Sequence, residues 1–157
     1  MLALGVTATN HLSVSGHVTG IINKCAQTLY ALKVLRSQGM SADSLAVIFK
    51  SVVLAKILYA SPAWWGFANS SDKDRLEAFL RRRTRLQLYR QCDPTVNQLV
   101  EDVEDKLFTS VINNDKHDLT HILPDPNNHT YNLRPRRHEL TLAIKGDARD
   151  FFERQLG

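Results

Sequence analysis

Apolar residues recur along this chain at three- and four-residue intervals, so its elements are predicted to be mostly helices. Leu2 to Thr9 mixes apolar and β-branched residues around Gly5, and the turn former Asn10 follows, which predicts one short strand. From Ser15, a residue that can cap a helix, Val18, Ile21, Ile22, Cys25, Leu29, Leu32 and Leu35 repeat with helical spacing until Gly39. Ser41 caps a second predicted helix. Leu45, Ile48, Val52, Ala55 and Tyr59 mark one face of it, while Phe49, Val53 and Ile57 widen the apolar surface as far as Pro62. A helix apolar on more than one side belongs at the centre of a bundle.

Ser71 and Asp74 form a capping-box pattern that opens a third helix, with Leu76, Phe79, Leu80 and Arg83 along it and an expected end near Arg90. Thr95 and Gln98 repeat the pattern before a fourth helix, whose stripe is Leu99, Val103, Leu107 and Val111 and whose other face is acidic. A weaker helix is expected over Lys116 to Leu123. Pro124, Pro126, Asn127 and Asn128 then make a linker, and Tyr131 to Arg137 is extended, because Pro135 disfavours helix at Arg134. A last short helix is expected over Asp147 to Gln155. The resulting divisions are 1–14, 15–92, 93–123 and 124–157, with no internal repeat and no low-complexity tract.

Composition changes this picture in two respects. A chain of 157 residues, 43% hydrophobic, has material for one core rather than two. The net charge of +4 and pI of 9.2 favour polyanionic partners, and the charge is unevenly placed. Residues 1–70 carry five Lys/Arg and one acid, 71–92 seven and three, 93–119 two and seven, and 120–157 six and five. The basic surface therefore belongs to the first 92 residues and the acidic one to the fourth helix. Cys25 and Cys92 stand far apart without a CxxC, which argues against a structural zinc or a disulfide framework and for an intracellular setting, nuclear or cytoplasmic. No run of about 18 apolar residues is expected to span a membrane, and the amino-terminal residues lack the pattern of a signal peptide.

The strongest candidate chemistry is electrostatic. Arg81, Arg82, Arg83 and Arg85, with Arg75 and Arg90 in the same helix, can meet several phosphates of a nucleic-acid backbone. The other reading is a solvated face paired with the acidic fourth helix, and composition leaves both open. Arg134, Arg136 and Arg137 beside Tyr131 and His138 combine charge with an aromatic in an extended stretch, a mixture that suits single strands but also suits a basic tail. Trp64, Trp65 and Phe67 follow a helix-ending proline. Such aromatics are usually core anchors, and adjacent rings are expected to divide, one for the core and one partly exposed. His117 and His121 form one i, i+4 pair without a third metal ligand. Glu101, Asp102, Glu104 and Asp105 read as a solvated face rather than a two-metal site. No GxSxG, P-loop or GxGxxG is present.

Four strings, Leu4-Gly5-Val6-Thr7, Val18 to Leu35 (VTGIINKCAQTLYALKVL), Ser51 to Phe67 (SVVLAKILYASPAWWGF) and Tyr131 to His138 (YNLRPRRH), resemble the carboxyl-terminal part of reverse transcriptases from LINE-type non-LTR retrotransposons of the jockey-like animal branches. The resemblance implies a mainly α fold: a helical thumb-like bundle preceded by the last strand of a palm and followed by an irregular tail. It implies that the Arg-rich third helix lies along a primer–template duplex and recognises phosphates and shape. Partners would be an RNA–DNA hybrid or RNA, and the remainder of the polymerase. The family's paired YxDD-type aspartates and further palm aspartate, which hold two metal ions, have no match here. No catalytic residue, metal ligand or cofactor is therefore expected in this chain, although the parent polymerase would use Mg. Beyond Asp147 the sequence departs from the family's usual ending. The rival readings are a helical protein-interaction module, using the acidic helix and the Trp64–Trp65 region, and a transposon remnant without function.

Overall fold

The structure is a computed structural model that describes residues 2–3, 5–84, 88, 92–124, 140, 147 and 149–156, with the backbone alone at 2–3 and 83–84. It is mainly α-helical. Strands β1 (Leu2–Ala3) and β2 (Val6–Thr7) pair antiparallel, with Leu2 opposite Thr7 and Ala3 opposite Val6. The single predicted strand is thus a small hairpin, turned at Gly5 (φ 82°).

Helix α1 (Ser15–Ser37) buries Val18, Ile21, Cys25, Leu29 and Leu32 in one stripe, as the spacing requires. Ser15 does not cap it. Val14 occupies the cap position without a side-chain bond, and the Ser15 hydroxyl donates instead to Asp72. At the other end, Gly39 at φ 93° lets the Gly39 N–H reach the Arg36 carbonyl and the Met40 N–H reach that of Leu35. This paired closure needs a left-handed residue, which glycine adopts without a Cβ clash.

Ser41 does cap α2 (Ala42–Ile48), accepting the Ser44 N–H. The helical run continues through a π segment, Phe49–Leu54, into α3 (Ala55–Leu58). This explains which residues are buried. Leu45, Phe49, Val53 and Ile57 face the core, whereas Ile48 and Val52 are half-buried and Ala55 and Tyr59 exposed, contrary to the stripe read from sequence. Strict four-residue spacing drifts about 40° per step on an α-helix. The wider i→i+5 turns of the π segment advance only roughly 80° per residue, which cancels most of that drift and keeps the four on one line. The Cys25 thiol donates to the Val53 carbonyl within this segment, at 3.9 Å.

By length and composition the helical stretch Ala42–Phe67 could cross a membrane, with a mean hydropathy of 1.6. That corrects the expectation that no such run exists. The stretch is not straight: Ala60 adopts φ 52°, and α4 (Ser61–Trp64) and a 3-10 turn (Trp65–Phe67) follow in a new direction.

Helix α5 (Ser70–Thr84) starts one residue before the predicted capping box. Asn69 caps it, its side-chain oxygen accepting the Asp72 N–H at 2.8 Å, so Ser71 lies within the first turn. The expected extension to Arg90 lies outside the described residues. At α6 (Val96–Asn113) the predicted box is present in full: Thr95 Oγ1 accepts the Gln98 N–H and Gln98 Oε1 accepts the Thr95 N–H. Its buried line is Val96, Val100, Glu104, Phe108 and Val111, with Leu99, Val103 and Leu107 only half-buried on its flank. The helix is rotated from the predicted orientation, and that rotation takes Glu104 out of the solvated face.

The helix expected over Lys116 to Leu123 reduces to a 3-10 turn, Thr120–Ile122. Asn114 Oδ1 accepts the Lys116 N–H and His117 Nδ1 accepts that of Leu119, local bonds that compete with the helical ladder. His117 and His121 are therefore not one turn apart on a helix. The last element, α7 (Phe151–Leu156), is shorter than expected because Asp147 and Asp150 hold the preceding turn; Asp150 Oδ1 accepts the Phe152 N–H.

Helix α1 packs against the run 42–58 and against α5. Helix α6 closes the other side against α3, α4 and α5, and α7 rests on α6. The main core runs through Val18, Cys25, Phe49, Val53, Ile57, Trp64, Leu76, Leu80 and Val100.

Candidate nucleic-acid interface

Every described arginine of the sequence-predicted site lies on α5, and α5 is held firmly on its inner side. Leu76, Phe79 and Leu80 bury one face in the core. Asp72, 3% exposed in the first turn, accepts the Ser15 hydroxyl at 2.5 Å and Arg75 Nη1 at 3.1 Å. Arg75 Nη2 also donates to Thr19 Oγ1 at 3.0 Å. A carboxylate near a helix N-terminus is favoured by the helix dipole, and here it also ties α5 to the start of α1.

This arrangement divides the predicted arginines. Arg75 lies about 10 Å along the axis from Arg82, on the same stripe of the helix, but its guanidinium is turned to α1. Arg81 and Arg82 are exposed and line an open groove of about 560 Å³ with Asp74 and Ala78. Arg81 also lies 3.8 Å from Glu77 Oε1, with a side chain 73% exposed. An ion pair that open to water contributes about 0–1 kcal/mol, so phosphate can compete for this guanidinium. The other Glu77 oxygen accepts the Val96 N–H at 2.9 Å and thereby fixes the first turn of α6 against α5. Arg83 continues the helix by its backbone. Arg85, Arg90, Arg134, Arg136 and Arg137, with Tyr131 and His138, lie outside the described residues.

Sequence reasoning missed one neighbour of this surface and one contact elsewhere on α5. Asp74 shares the groove with Arg81 and Arg82, which the spacing 74, 78, 81, 82 already encodes as one helical face. Lys73 sits over the Trp65 ring, 4.9 Å from its centroid. Desolvation lowers the Lys73 pKa, the nearby Arg154 guanidinium lowers it further, and the Glu104 carboxylate opposes both.

Contrary to the expected division of the two rings, both tryptophans are buried, Trp64 to 1% and Trp65 to 6% exposure. The change from α4 to the 3-10 turn lets adjacent rings meet edge to face at 5.7 Å. Trp64 Nε1 donates to the Tyr59 carbonyl and the ring packs on His17, while Trp65 lies beneath Lys73. Neither ring is available for base stacking. No group of three potential metal ligands occurs among the described residues.

Comparison with protein-family models, with curated proteins and with solved structures finds no match for this chain.

Proposed function

We propose that this chain is a thumb-like part of the RNA-directed DNA polymerase of a LINE-type non-LTR retrotransposon, and that it positions an RNA–DNA hybrid or RNA through backbone contacts without catalytic residues of its own. The observation that carries the reading is the groove on α5, where Arg81 and Arg82 stand exposed on a helix whose opposite side is pinned by Asp72 and the core. Guanidiniums on a fixed helix meet phosphates at lower entropic cost than guanidiniums on a loop, and they carry no base information. Mg and the reacting carboxylates would come from the parent polymerase, acting in the nucleus or cytoplasm.

The test is binding of the full chain to an RNA–DNA hybrid across a salt series. Replacing Arg81 and Arg82 by Gln should weaken binding and reduce the log–log salt slope by roughly 0.7–0.9 for each phosphate that is no longer neutralised. Sequence preference should stay the same. A folded variant that binds as before at every salt concentration overturns the reading.

The exposed carboxylates Glu101 and Asp102 on α6 favour a second reading, a helical protein-interaction module. Its Trp64–Trp65 surface falls away because both rings are buried. Stoichiometric capture of a basic partner, indifferent to added nucleic acid, would put this reading first, whereas a chain binding neither class would fit a remnant without function.

A further inference from the structure

The segment that ends in α7 converges on one small area of the bundle. Gly66 lies directly beneath it: a Cβ there would overlap the Arg149 carbonyl oxygen and Arg154 Nη1, so only glycine admits the segment. The Arg154 guanidinium then enters between α4 and α6. Its Nη2 donates to the Pro62 carbonyl at 3.2 Å and to Glu104 Oε1, and its Nη1 donates to the Arg149 carbonyl. Gln155 Nε2 approaches the second Glu104 oxygen at 3.5 Å. Arg149 itself stacks over Phe67, 5.6 Å from the ring centroid.

Glu104 is the only charged position in the buried line of α6. A carboxylate in that setting needs a partner, because an uncompensated buried charge is strongly unfavourable. We propose that Glu104, the Pro62 carbonyl and the side-chain-free surface of Gly66 form an arginine-receiving docking site, and that the chain's own residues 149–156 occupy it as a releasable strap.

Two observations make the strap releasable. Helix α7 has six residues, too few to be stable without its docking contacts. Leu156 is buried but stands outside the main hydrophobic cluster, which is built from Val14 through Val100. The bundle therefore has two arrangements. With the strap docked, Arg154 neutralises Glu104; with it released, Glu104 and the Pro62 carbonyl are open to another guanidinium.

The experiment uses the full chain in three forms, wild type, Arg154→Gln and Gly66→Ala, with amide hydrogen exchange as the readout. In the wild type, amides of 151–156 should be protected. In both variants they should exchange about 10- to 100-fold faster, the range for losing a hydrogen bond to a charged group, while α1 amides keep wild-type protection. A synthetic peptide spanning Asp147–Gly157 should then bind the Arg154→Gln protein, whose site is vacated, and fail to bind Gly66→Ala, whose site is blocked. The same peptide with Gln in place of its arginine at 154 should bind neither. Unprotected 151–156 amides in the wild type, wild-type protection in both variants, or equal peptide binding to both overturns the proposal. Protection that disappears when a dimer is diluted to monomer also overturns it, since the occupant would then be a second copy's segment. If Gly66→Ala fails to fold, the Arg154→Gln exchange and its capture of the native but not the Gln peptide decide the matter alone.

Discussion

Asp72 is the residue whose loss should most clearly separate the anchoring of α5 from its surface chemistry. Its buried carboxylate accepts the Ser15 hydroxyl at 2.5 Å and Arg75 at 3.1 Å. A hydrogen bond to a charged group contributes about 1.5–3 kcal/mol, and the part-buried Ser15 contact should lie towards the lower end of that range. The Arg75 side chain is 44% exposed, so its ion pair is discounted to about 0.5–1 kcal/mol. An acid in the first turn adds about 0.5 kcal/mol through the helix dipole. Asp72→Ala should therefore cost about 3 kcal/mol, which for a chain of this size lowers Tm by roughly 6–12 °C. The Ser15 hydroxyl is not left unpaired, because Asn69 Nδ2 already donates to it at 3.3 Å. Urea and thermal unfolding of Asp72→Ala, combined with Ser15→Ala and Arg75→Gln in double-mutant cycles, measure the two couplings separately. The Ser15 coupling should exceed the Arg75 coupling. A cost below about 1 kcal/mol, or the reverse order of couplings, would refute the view that Asp72 locks α5 to α1.

Three further outcomes follow from the same structure. His17 is buried against Trp64 and accepts the Thr7 N–H on Nδ1; burial first, and then Lys24, hold its pKa below 6.5. Its neutral form is favoured by folding, so this stability is present above pH 6.5 and declines as pH falls below it towards the folded value; Tm at pH 5.5 relative to 7.5 should drop less in His17→Gln than in wild type. Burial pushes the Cys25 thiol up to about 11 whereas Cys92 is exposed, so a thiol reagent at pH 8 should modify one cysteine in the native protein and both in denaturant; two equally fast native thiols would contradict the buried placement. Finally, the purified chain should extend no primer on an RNA template with Mg or Mn, because nothing in its sequence matches the family's palm aspartates, and extension above a mock preparation would show otherwise.

Much of the local structure was legible before any fold was known. The stripe of α1, the caps at Ser41 and Thr95 and the closure at Gly39 depend on residues within a few positions of one another, and their bonds form along one helix. The arginine face of α5 was legible for the same reason, since a helix fixes the angles between its own side chains. Other features were settled by groups distant in sequence. Ser15 gave up its cap to a carboxylate 57 positions later, and Arg75 left the set of arginines read as phosphate-binding to reach that carboxylate and Thr19. Glu104 was read as solvated because three acids surround it in sequence; it is buried because α6 is rotated to meet α4 and α5, and Arg154, 50 positions away, neutralises it. The π segment shows the same dependence. Leu45, Phe49, Val53 and Ile57 share a face only when the helix widens against α1, so periodicity on an ideal helix misassigned that face. Sequence alone determined what each turn of helix satisfies within itself. Tertiary structure decided which buried charges are paired, because that depends on which distant group the packing of the helices brings within hydrogen-bonding distance.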